Sequence, residues 1–435
     1  MVLGRLLGTA AKRVREGLSP GRSLLGRTVT GGLWVGLLNV LDRIVRLGTL
    51  VVLAGLLTPR AFGVIGLGTL TLTFLRRFSR LGLREALVQK EQADIDEYLA
   101  TTWVLRTVRG TVLAAVAVLL APTVASVVGV AALTPVVRAL ALLPLVAGLR
   151  NPGVVYFQKD LEFRQEFVYR FASTLAYATV ALVTAVIFGN VWALVCGLLG
   201  GAVARTGLSY LLHPYRPAVQ FDPAAARDLL DYGKWLFGSS IVVFLLNRAD
   251  DALIGVVLGA PALGLYQMAF RFSNAPATEV THVISRVTFP SFSKAQTDPE
   301  TLREGFFGTV RFVAYVAFPM AAGIAAVTPL FVGTVLGPEW LAMATTMQLL
   351  AAWGALRALA SVLGPLFQGI GHPEYSTALQ FSRLVIVAVL VYPLTLHWGT
   401  VGTAAALLTS GVVQIPVAFV VAVHSIDGRF RRLGR

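Results

Sequence analysis

Apolar runs long enough to cross a bilayer follow one another along nearly the whole chain. A helix needs about 20 residues to cross a hydrocarbon layer of about 30 Å. The runs are continuous rather than alternating between apolar and polar residues, which argues against the strands of a membrane barrel. The sequence predicts an all-α membrane protein with about twelve transmembrane helices, at residues 31–57, 60–83, 101–129, 133–156, 167–189, 191–213, 233–258, 262–287, 306–335, 340–367, 375–397 and 401–424.

The composition agrees with a membrane protein. Hydrophobic residues make up 56% of the chain and charged residues 14%, whereas about a quarter of a soluble domain is charged. The single cysteine, Cys196, excludes an intramolecular disulfide and a cysteine-based metal site. The five histidines lack the spacing of metal ligands, so no metal and no cofactor is predicted.

The net charge of +15 is concentrated in the two terminal segments and in alternate segments between the apolar runs. Lys and Arg are enriched on the cytoplasmic side of membrane proteins. The distribution predicts a multi-pass protein of the cell membrane with both termini in the cytoplasm, and it argues against a nucleic acid as partner. The basic residues of the inner segments include Arg84, Lys90, Lys159, Arg164, Arg216, Arg227, Lys294 and Arg303.

Two segments of the chain repeat each other. Aligned without a gap, the stretch that begins at Gly32 matches the stretch that begins at Gly233, and Gly63 then meets Gly264. Two halves in the same order form a parallel repeat, an arrangement in which transporters build a central cavity. The predicted divisions are a basic cytoplasmic segment 1–30, a six-helix bundle 31–215, a cytoplasmic linker 216–232, a second six-helix bundle 233–425 and a basic cytoplasmic tail 426–435.

Charged residues interrupt the first apolar run. In "LLNVLDRIVRLGTL", residues 37–50, a helix places the four side chains Asn39, Asp42, Arg43 and Arg46 within an arc of about 100°. A charge near the middle of a span costs about 2.5–3.5 kcal/mol on insertion scales. This face of the helix is therefore expected to contact protein or water rather than lipid.

The second half of the chain carries a matching pattern on its first two predicted spans. Amide and carboxylate side chains share one face of the seventh span, and the eighth span bears a polar strip at helical spacing. The residues concerned are Asn247, Arg248, Asp250, Asp251, Gln267, Arg271 and Asn274.

Two interpretations of these charges remain open from the sequence. In the first, Asp42 pairs with Arg46 and Asp251 with Arg248, which joins helices without any ligand. In the second, a hydrated cavity holds an anion, because pairing leaves about five arginines uncompensated and the planar guanidinium binds phosphate through two hydrogen bonds. The intramembrane arginines are Arg43, Arg46, Arg138, Arg248, Arg271, Arg311, Arg357 and Arg383.

Motifs of an enzyme are missing from the sequence. There is no arrangement of nucleophile, base and acid, no phosphate-binding loop of the GxxxxGK[ST] type, and no long loop to house an active site. The chain is therefore not expected to be an enzyme.

Four motifs carry a resemblance to a known family. They are "LLTPRAFGVIGLG" at 56–68, "FQKDLEFR" at 157–164, "DDALIGVVLGAPALGLYQMAFRF" at 250–272 and "FPSFSKAQTDPETLR" at 289–303. In this order they resemble the polysaccharide transporter family, the lipid-linked oligosaccharide flippases of the superfamily that also contains the multidrug and toxin extruders. The likeness is greatest to the subgroup that handles exopolysaccharide, colanic acid or teichuronic acid.

The resemblance implies a two-bundle transporter that moves an oligosaccharide, linked to a polyprenyl or dolichyl (pyro)phosphate, from the inner to the outer leaflet by alternating access. It implies that Arg43, Arg46 and Arg271 hold the phosphate. The other substrate-binding residues would be Asn39, Asn247, Arg248, Gln267 and Asn274. Asp42, Asp250 and Asp251 are candidates for coupling to H⁺ or Na⁺, or for pairing with arginines. Membrane lipids are the remaining partners.

Two alternative functions belong to other classes. A drug or small-molecule extruder of the same superfamily should line its cavity with carboxylates and aromatic rings for a cationic guest, whereas this chain favours arginine. A membrane enzyme that polymerises or ligates lipid-linked glycans would need a large extracytoplasmic loop, and the sequence offers none.

Overall fold

The computed structural model describes residues 24–79, 95–160, 162–223, 244, 248–274, 288, 291–294 and 298–433. The regular elements of these residues are helices, and the predicted all-α membrane fold class is confirmed. The predicted site residue Asn247 lies outside the described residues, as do most of the N-terminal segment 1–30 and most of the linker 216–232.

The helices are long and follow one another through short connections. In chain order they are α1 (Leu24–Leu56), α2 (Pro59–Arg77), α3 (Ile95–Val128), α4 (Leu133–Leu140), α5 (Leu142–Gly148), α6 (Tyr156–Lys159), α7 (Phe163–Phe188), α8 (Trp192–Leu212), α9 (Gly259–Ser273), α10 (Pro299–Phe331), α11 (Ala344–Ala360), α12 (Leu363–Gly369) and α13 (Pro373–Leu433). Residues 248–257 are also helical. Short 3₁₀ helices cover Pro152–Val155 and Pro338–Met343, and a π-helical turn covers Val332–Leu336.

Each predicted span overlaps helical structure over its described residues. By length and composition, six helical segments of the described part are apolar enough to cross a membrane, or seven if a bent pair counts as one span. The prediction of repeated crossings rested on apolar length alone, and helices are the elements that satisfy their own backbone hydrogen bonds in lipid.

The last two predicted spans lie within α13, which is broken at Gly399 (φ 58°, ψ −137°). Glycine enters this left-handed region of φ at little cost because it has no Cβ. A Cβ at Gly402 would lie 1.8 Å from the carbonyl oxygen of Leu394, and the hydroxyls of Thr395 and Thr403 are 2.7 Å apart. Glycine and threonine thus close the turn between the two spans.

The fourth predicted span contains a corner. Its axis turns by 75° between the α4–α5 segment and the segment that begins at Pro152. The side-chain oxygen of Asn151 accepts a hydrogen bond from the N–H of Gly153 at 2.9 Å, and its side-chain nitrogen donates to the carbonyl of Tyr215 at 2.7 Å. Proline cannot supply the N–H that a continuous helix needs. The expected single helix 133–156 is therefore replaced by a bent one.

The chain divides into two compact units. The first comprises Met1–Leu57 and Gly68–Leu245, and the second comprises Thr58–Leu67 and Leu246–Arg435. The first part of α2 therefore belongs to the second unit. The predicted bundle limits 31–215 and 233–425 remain predictions.

Two glycines at equivalent positions of the repeat bring α2 and α9 into backbone contact inside the second unit. A Cβ at Gly63 would lie 1.6 Å from the carbonyl oxygen of Ala260, and a Cβ at Gly264 would lie 1.9 Å from that of Pro59. Pro59 and Ala260 are themselves matched by the repeat alignment. The crossing is self-complementary, as expected where two copies of one motif meet about a two-fold axis, and it supports the internal repeat.

Gly63→Ala is expected to destabilise the protein, because the new methyl group has no room beside Ala260. Overpacking of this kind costs about 1–3 kcal/mol. The measurement is the midpoint of thermal unfolding of the purified protein in detergent. Gly323→Ala on α10 is the matched control, since nothing lies within 4 Å of a Cβ there. Equal midpoints for the two variants would show that the crossing does not contribute to stability.

Candidate functional site

The charged face of α1 is connected to α7 in the first unit. The Nε of Arg46 lies 2.7 Å from the Oδ2 of Asp42, one helical turn away. The hydroxyl of Thr174 on α7 donates to the Oδ1 of Asp42 at 2.5 Å and accepts from the Nη2 of Arg46 at 3.1 Å. Both charged groups are thus bound to one another and to the neighbouring helix.

The pair Asp42–Arg46 predicted from the sequence is present, yet it leaves part of the guanidinium accessible. The side chain of Arg46 is 56% exposed, whereas that of Asp42 is 26% exposed. Arg43 is half-buried and Asn39 is exposed on the same helix. This face therefore keeps accessible polar groups after the carboxylate has been paired, and the roles assigned to these four residues remain predictions.

The carboxylates of the second unit have different partners. Asp251 is buried and its Oδ2 lies 2.8 Å from the Nη1 of Arg248, whose side chain is 51% exposed. The Oδ2 of Asp250 accepts a hydrogen bond from the hydroxyl of Tyr266 at 2.6 Å, and its Oδ1 accepts from the N–H of Asp251 at 2.9 Å. The predicted pair Arg248–Asp251 is present, and Asp250 is held by α9.

The polar strip of α9 extends over its second half. Arg271 is exposed, and Gln267 and Asn274 are half-buried. A Cβ at Gly66 of α2 would lie 2.4 Å from the Oε1 of Gln267, so this amide rests against α2 where that helix has no side chain. Gln267 and Arg271 lie on α9 and Asn274 caps its C-terminal end, and the role of these residues in substrate binding stays a prediction.

Several residues with a part in these clusters escaped the sequence prediction. Thr174 donates a hydrogen bond to Asp42, and Tyr266 donates one to Asp250. Neither residue is at a helical spacing from its aspartate in the sequence, so periodicity does not predict these contacts. Arg383 lies over the ring of Trp353 at 4.7 Å from its centroid, and Arg357 lies one turn beyond Trp353 on α11. The sequence predicts both arginines as intramembrane charges but not as site residues.

One cavity of about 700 Å³ adjoins the beginning of α10 and is lined by Glu300, Arg303, Glu304, Phe307, Gly308 and Arg311. It contains none of the residues predicted to bind substrate, and its carboxylates balance its guanidinium groups. Among the described residues, no group of three or more His, Cys, Asp or Glu side chains is placed to hold a metal ion.

Comparison with known proteins identifies a family and a fold. Residues 52–345 match the family model described as "Polysaccharide biosynthesis protein". The chain is 27% identical over 356 residues to the lipopolysaccharide biosynthesis protein WzxC of Escherichia coli (strain K12), a match that covers 81% of this chain and 72% of the relative.

Two solved structures share the fold. A multidrug resistance transporter of the MATE family in an inward-facing conformation aligns with a TM-score of 0.68 at 17% identity, over 89% of this chain and 95% of the other. The lipid II flippase MurJ in an inward closed conformation aligns with a TM-score of 0.67 at 13% identity, over 90% and 88%. Because the same fold serves a drug transporter and a lipid flippase, it does not by itself identify the cargo.

Thr174→Val is expected to weaken the connection between α1 and α7, because it removes the hydroxyl that bridges Asp42 and Arg46 while keeping the shape of the side chain. Leaving a partly buried polar group without its partner costs about 1–3 kcal/mol. The thermal unfolding midpoint of the purified protein measures this loss. Thr111→Val is the control, since Thr111 donates only to the carbonyl of Thr107 within its own helix, and an equal effect of both changes would contradict the bridging role.

Proposed function

The chain belongs to the polysaccharide biosynthesis protein family, and we propose on that basis that it flips an oligosaccharide linked to a polyprenyl or dolichyl (pyro)phosphate from the inner to the outer leaflet. The match of residues 52–345 to the model of that family carries the proposal, and the larger number of arginines than aspartates in the apolar segments supports it. Phosphate is one of the anions whose geometry suits a guanidinium group. The name of the relative WzxC, a lipopolysaccharide biosynthesis protein, agrees with this cargo.

The headgroup is the part of such a substrate that the bilayer opposes. A phosphate with its attached sugars loses its hydration in hydrocarbon, which is unfavourable, whereas the lipid tail is apolar and stays in the hydrocarbon at no such cost. In the proposed mechanism Arg43, Arg46 and Arg271 replace the lost hydration of the phosphate. Hydrogen bonds to sugar hydroxyls would then come from Asn39, Asn247, Gln267 and Asn274. Arg248 is proposed as a further substrate-binding residue.

Alternating access is the proposed route of the headgroup across the membrane. The two six-helix bundles, 31–215 and 233–425, would expose the bound headgroup first to the cytoplasm and then to the outside. No bond of the substrate is made or broken, so the chain is proposed to act without catalysis, cofactor or metal.

Ion coupling is assigned to the three intramembrane aspartates. One elementary charge that crosses the membrane potential releases about 2.3 kcal/mol per 100 mV. A proton or Na⁺ carried by Asp42, Asp250 or Asp251 would therefore bias the two conformations strongly. Each of the three carboxylates already accepts a hydrogen bond or takes part in an ion pair. Protonation of a carboxylate would alter these interactions.

A drug extruder of the same superfamily is the alternative. Its cationic cargo would be repelled by the arginine excess of this chain. The fold alone does not separate the two functions, so the arginine content of the apolar segments is the feature that favours the flippase.

Arg43→Gln and Arg271→Gln are each expected to lower polysaccharide export about tenfold or more, because a charged hydrogen bond to phosphate contributes about 1.5–3 kcal/mol. Export is measured as surface polysaccharide in cells that carry the variant in place of the natural protein. Lipid-linked intermediate should accumulate in the inner leaflet at the same time. Arg60→Gln, an exposed arginine in the first turn of α2, is the control, and normal export at equal protein level in the test variants would refute the phosphate role.

Both termini are proposed to face the cytoplasm, from the positive charge of the inner segments. A green fluorescent protein fused after Arg435 should therefore fluoresce. Alkaline phosphatase, which is active only outside the cytoplasm, should be active when it is inserted at the Gly399 turn and inactive after Arg435. The reverse pattern would overturn the orientation.

A further inference from the structure

The cavity at the beginning of α10 contains none of the residues that the proposed function assigns to the substrate or to ion coupling. Its volume of about 700 Å³ is within the range of small-ligand sites. The described residues that line it all belong to α10 and recur at helical spacing, so they form one face of that helix. They are Glu300, Arg303, Glu304, Phe307, Gly308 and Arg311.

Two carboxylates lie one helical turn apart on this face. Glu300 and Glu304 are exposed, and among the described residues no ion pair within 4 Å includes either of them. Like charges at this spacing repel each other and destabilise a helix. A cation bound between the two carboxylates would remove the repulsion, so this end of the face is suited to a positively charged group.

The other end of the face carries two guanidinium groups on either side of a gap. The guanidinium carbon of Arg303 lies 5.9 Å from the ring centroid of Phe307, and Phe307 packs against the hydrophobic core of the second unit. Nothing lies within 4 Å of a Cβ at Gly308, one turn before Arg311. Side chains of a helix lean towards its N-terminus, so Arg311 is directed back towards this gap. An anionic group at Gly308 can therefore meet both guanidinium groups.

The face continues from a polar segment into an apolar one. Residues 299–305 include three charged side chains, whereas residues 306–331 include one, Arg311. Beyond Arg311 the same face bears Tyr315 and Phe318, which are 80% and 45% exposed. Aromatic side chains are common where a membrane protein meets the interface of the bilayer. The face therefore passes from water through the headgroup region to the acyl chains.

We propose that this face of α10 binds a zwitterionic phospholipid whose headgroup carries a primary ammonium group, as phosphatidylethanolamine does. The ammonium donates hydrogen bonds to Glu300 and Glu304. The phosphate lies at Gly308, between Arg303 and Arg311. The acyl chains follow the exposed rings farther along α10. The carboxylates thus meet the outer charge of the headgroup and the guanidinium groups meet the inner one.

The two carboxylates distinguish this occupant from an anionic lipid. A lipid with a net negative charge offers no cation to Glu300 and Glu304, and the carboxylates repel it. A choline headgroup carries the positive charge but has no N–H to donate. The site is therefore expected to prefer ethanolamine over choline and glycerol headgroups. This lipid stays in its leaflet and is not the cargo, so the site goes beyond the proposed function and does not depend on it.

The test measures lipid binding to the full-length protein, purified in detergent, by native mass spectrometry. Phosphatidylethanolamine, phosphatidylcholine and phosphatidylglycerol with identical acyl chains are titrated separately. Phosphatidylethanolamine is expected to bind about tenfold more tightly than either of the others, because only its headgroup makes the charged hydrogen bonds to the carboxylates. Equal binding of the three lipids would indicate non-specific contact with the protein surface and would overturn the proposal.

The double variant Glu300→Gln/Glu304→Gln is expected to lose the tenfold preference for phosphatidylethanolamine, because it removes the charges that bind the ammonium. The matched control is Glu162→Gln/Glu339→Gln, which removes two exposed carboxylates outside this face and should keep the preference. An unchanged preference in the variant at Glu300 and Glu304 would contradict the assignment of the ammonium.

Gly308→Leu tests the gap without a change of charge. The new side chain has room in the folded protein because nothing lies within 4 Å of a Cβ there, but it occupies the position of the phosphate. Binding of phosphatidylethanolamine is expected to weaken about tenfold or more. Gly323→Leu is the control, since its position on α10 is outside this face and equally free of contacts. Equal affinity of the two variants would refute the assignment of the phosphate.

The lipid site and the proposed function can fail separately. Export is tested with the variants at Arg43 and Arg271, which leave this face of α10 unchanged. Loss of export in those variants, together with equal binding of the three lipids, would leave the transport function and remove the lipid site. Normal export together with a preference for phosphatidylethanolamine would do the reverse.

Discussion

The cost of placing a charge among apolar helices governs the organisation of this protein. Each guanidinium or carboxylate inside the membrane must find a partner, water or a ligand, because hydrocarbon offers none. Asp42 and Asp251 each meet an arginine on their own helix, and Asp250 is bound by a tyrosine from another helix. Each of these three aspartates thus has a partner within the protein.

Close contact between helix backbones is the second condition for this fold. In α2 and α9 the contact is made by matching positions of the internal repeat. Without a hydrophobic force between helices in lipid, small residues allow backbones to approach and pack. Gly63 and Gly264 meet at one crossing, each against the carbonyl that precedes the other glycine by one turn. A motif that occurs twice in the chain can therefore form a contact with its own copy. Any conformational change that moves α2 relative to α9 has to separate or slide this pair.

Much of the fold can be predicted from the sequence because it depends on the pattern of neighbouring residues along each helix. Apolar length predicts the spans, and turn-forming residues such as Gly399 mark where they end. The pairs Asp42–Arg46 and Arg248–Asp251 are accessible for the same reason, since residues three or four apart share a helix face. The corner at Pro152 was missed because it needs the carbonyl of Tyr215, which is brought to Asn151 only by folding.

The tertiary structure alone decided which distant side chains complete each charged cluster. Thr174 donates a hydrogen bond to Asp42 although the two residues are 132 positions apart in the chain. No spacing in the sequence predicts this contact. Arg383 lies over the ring of Trp353 only because α11 and α13 pack together. Periodicity describes one helix at a time, whereas the contacts between helices depend on how their surfaces fit. The presence of charged residues in the apolar helices could thus be predicted, but the distant side chains that contact them could not.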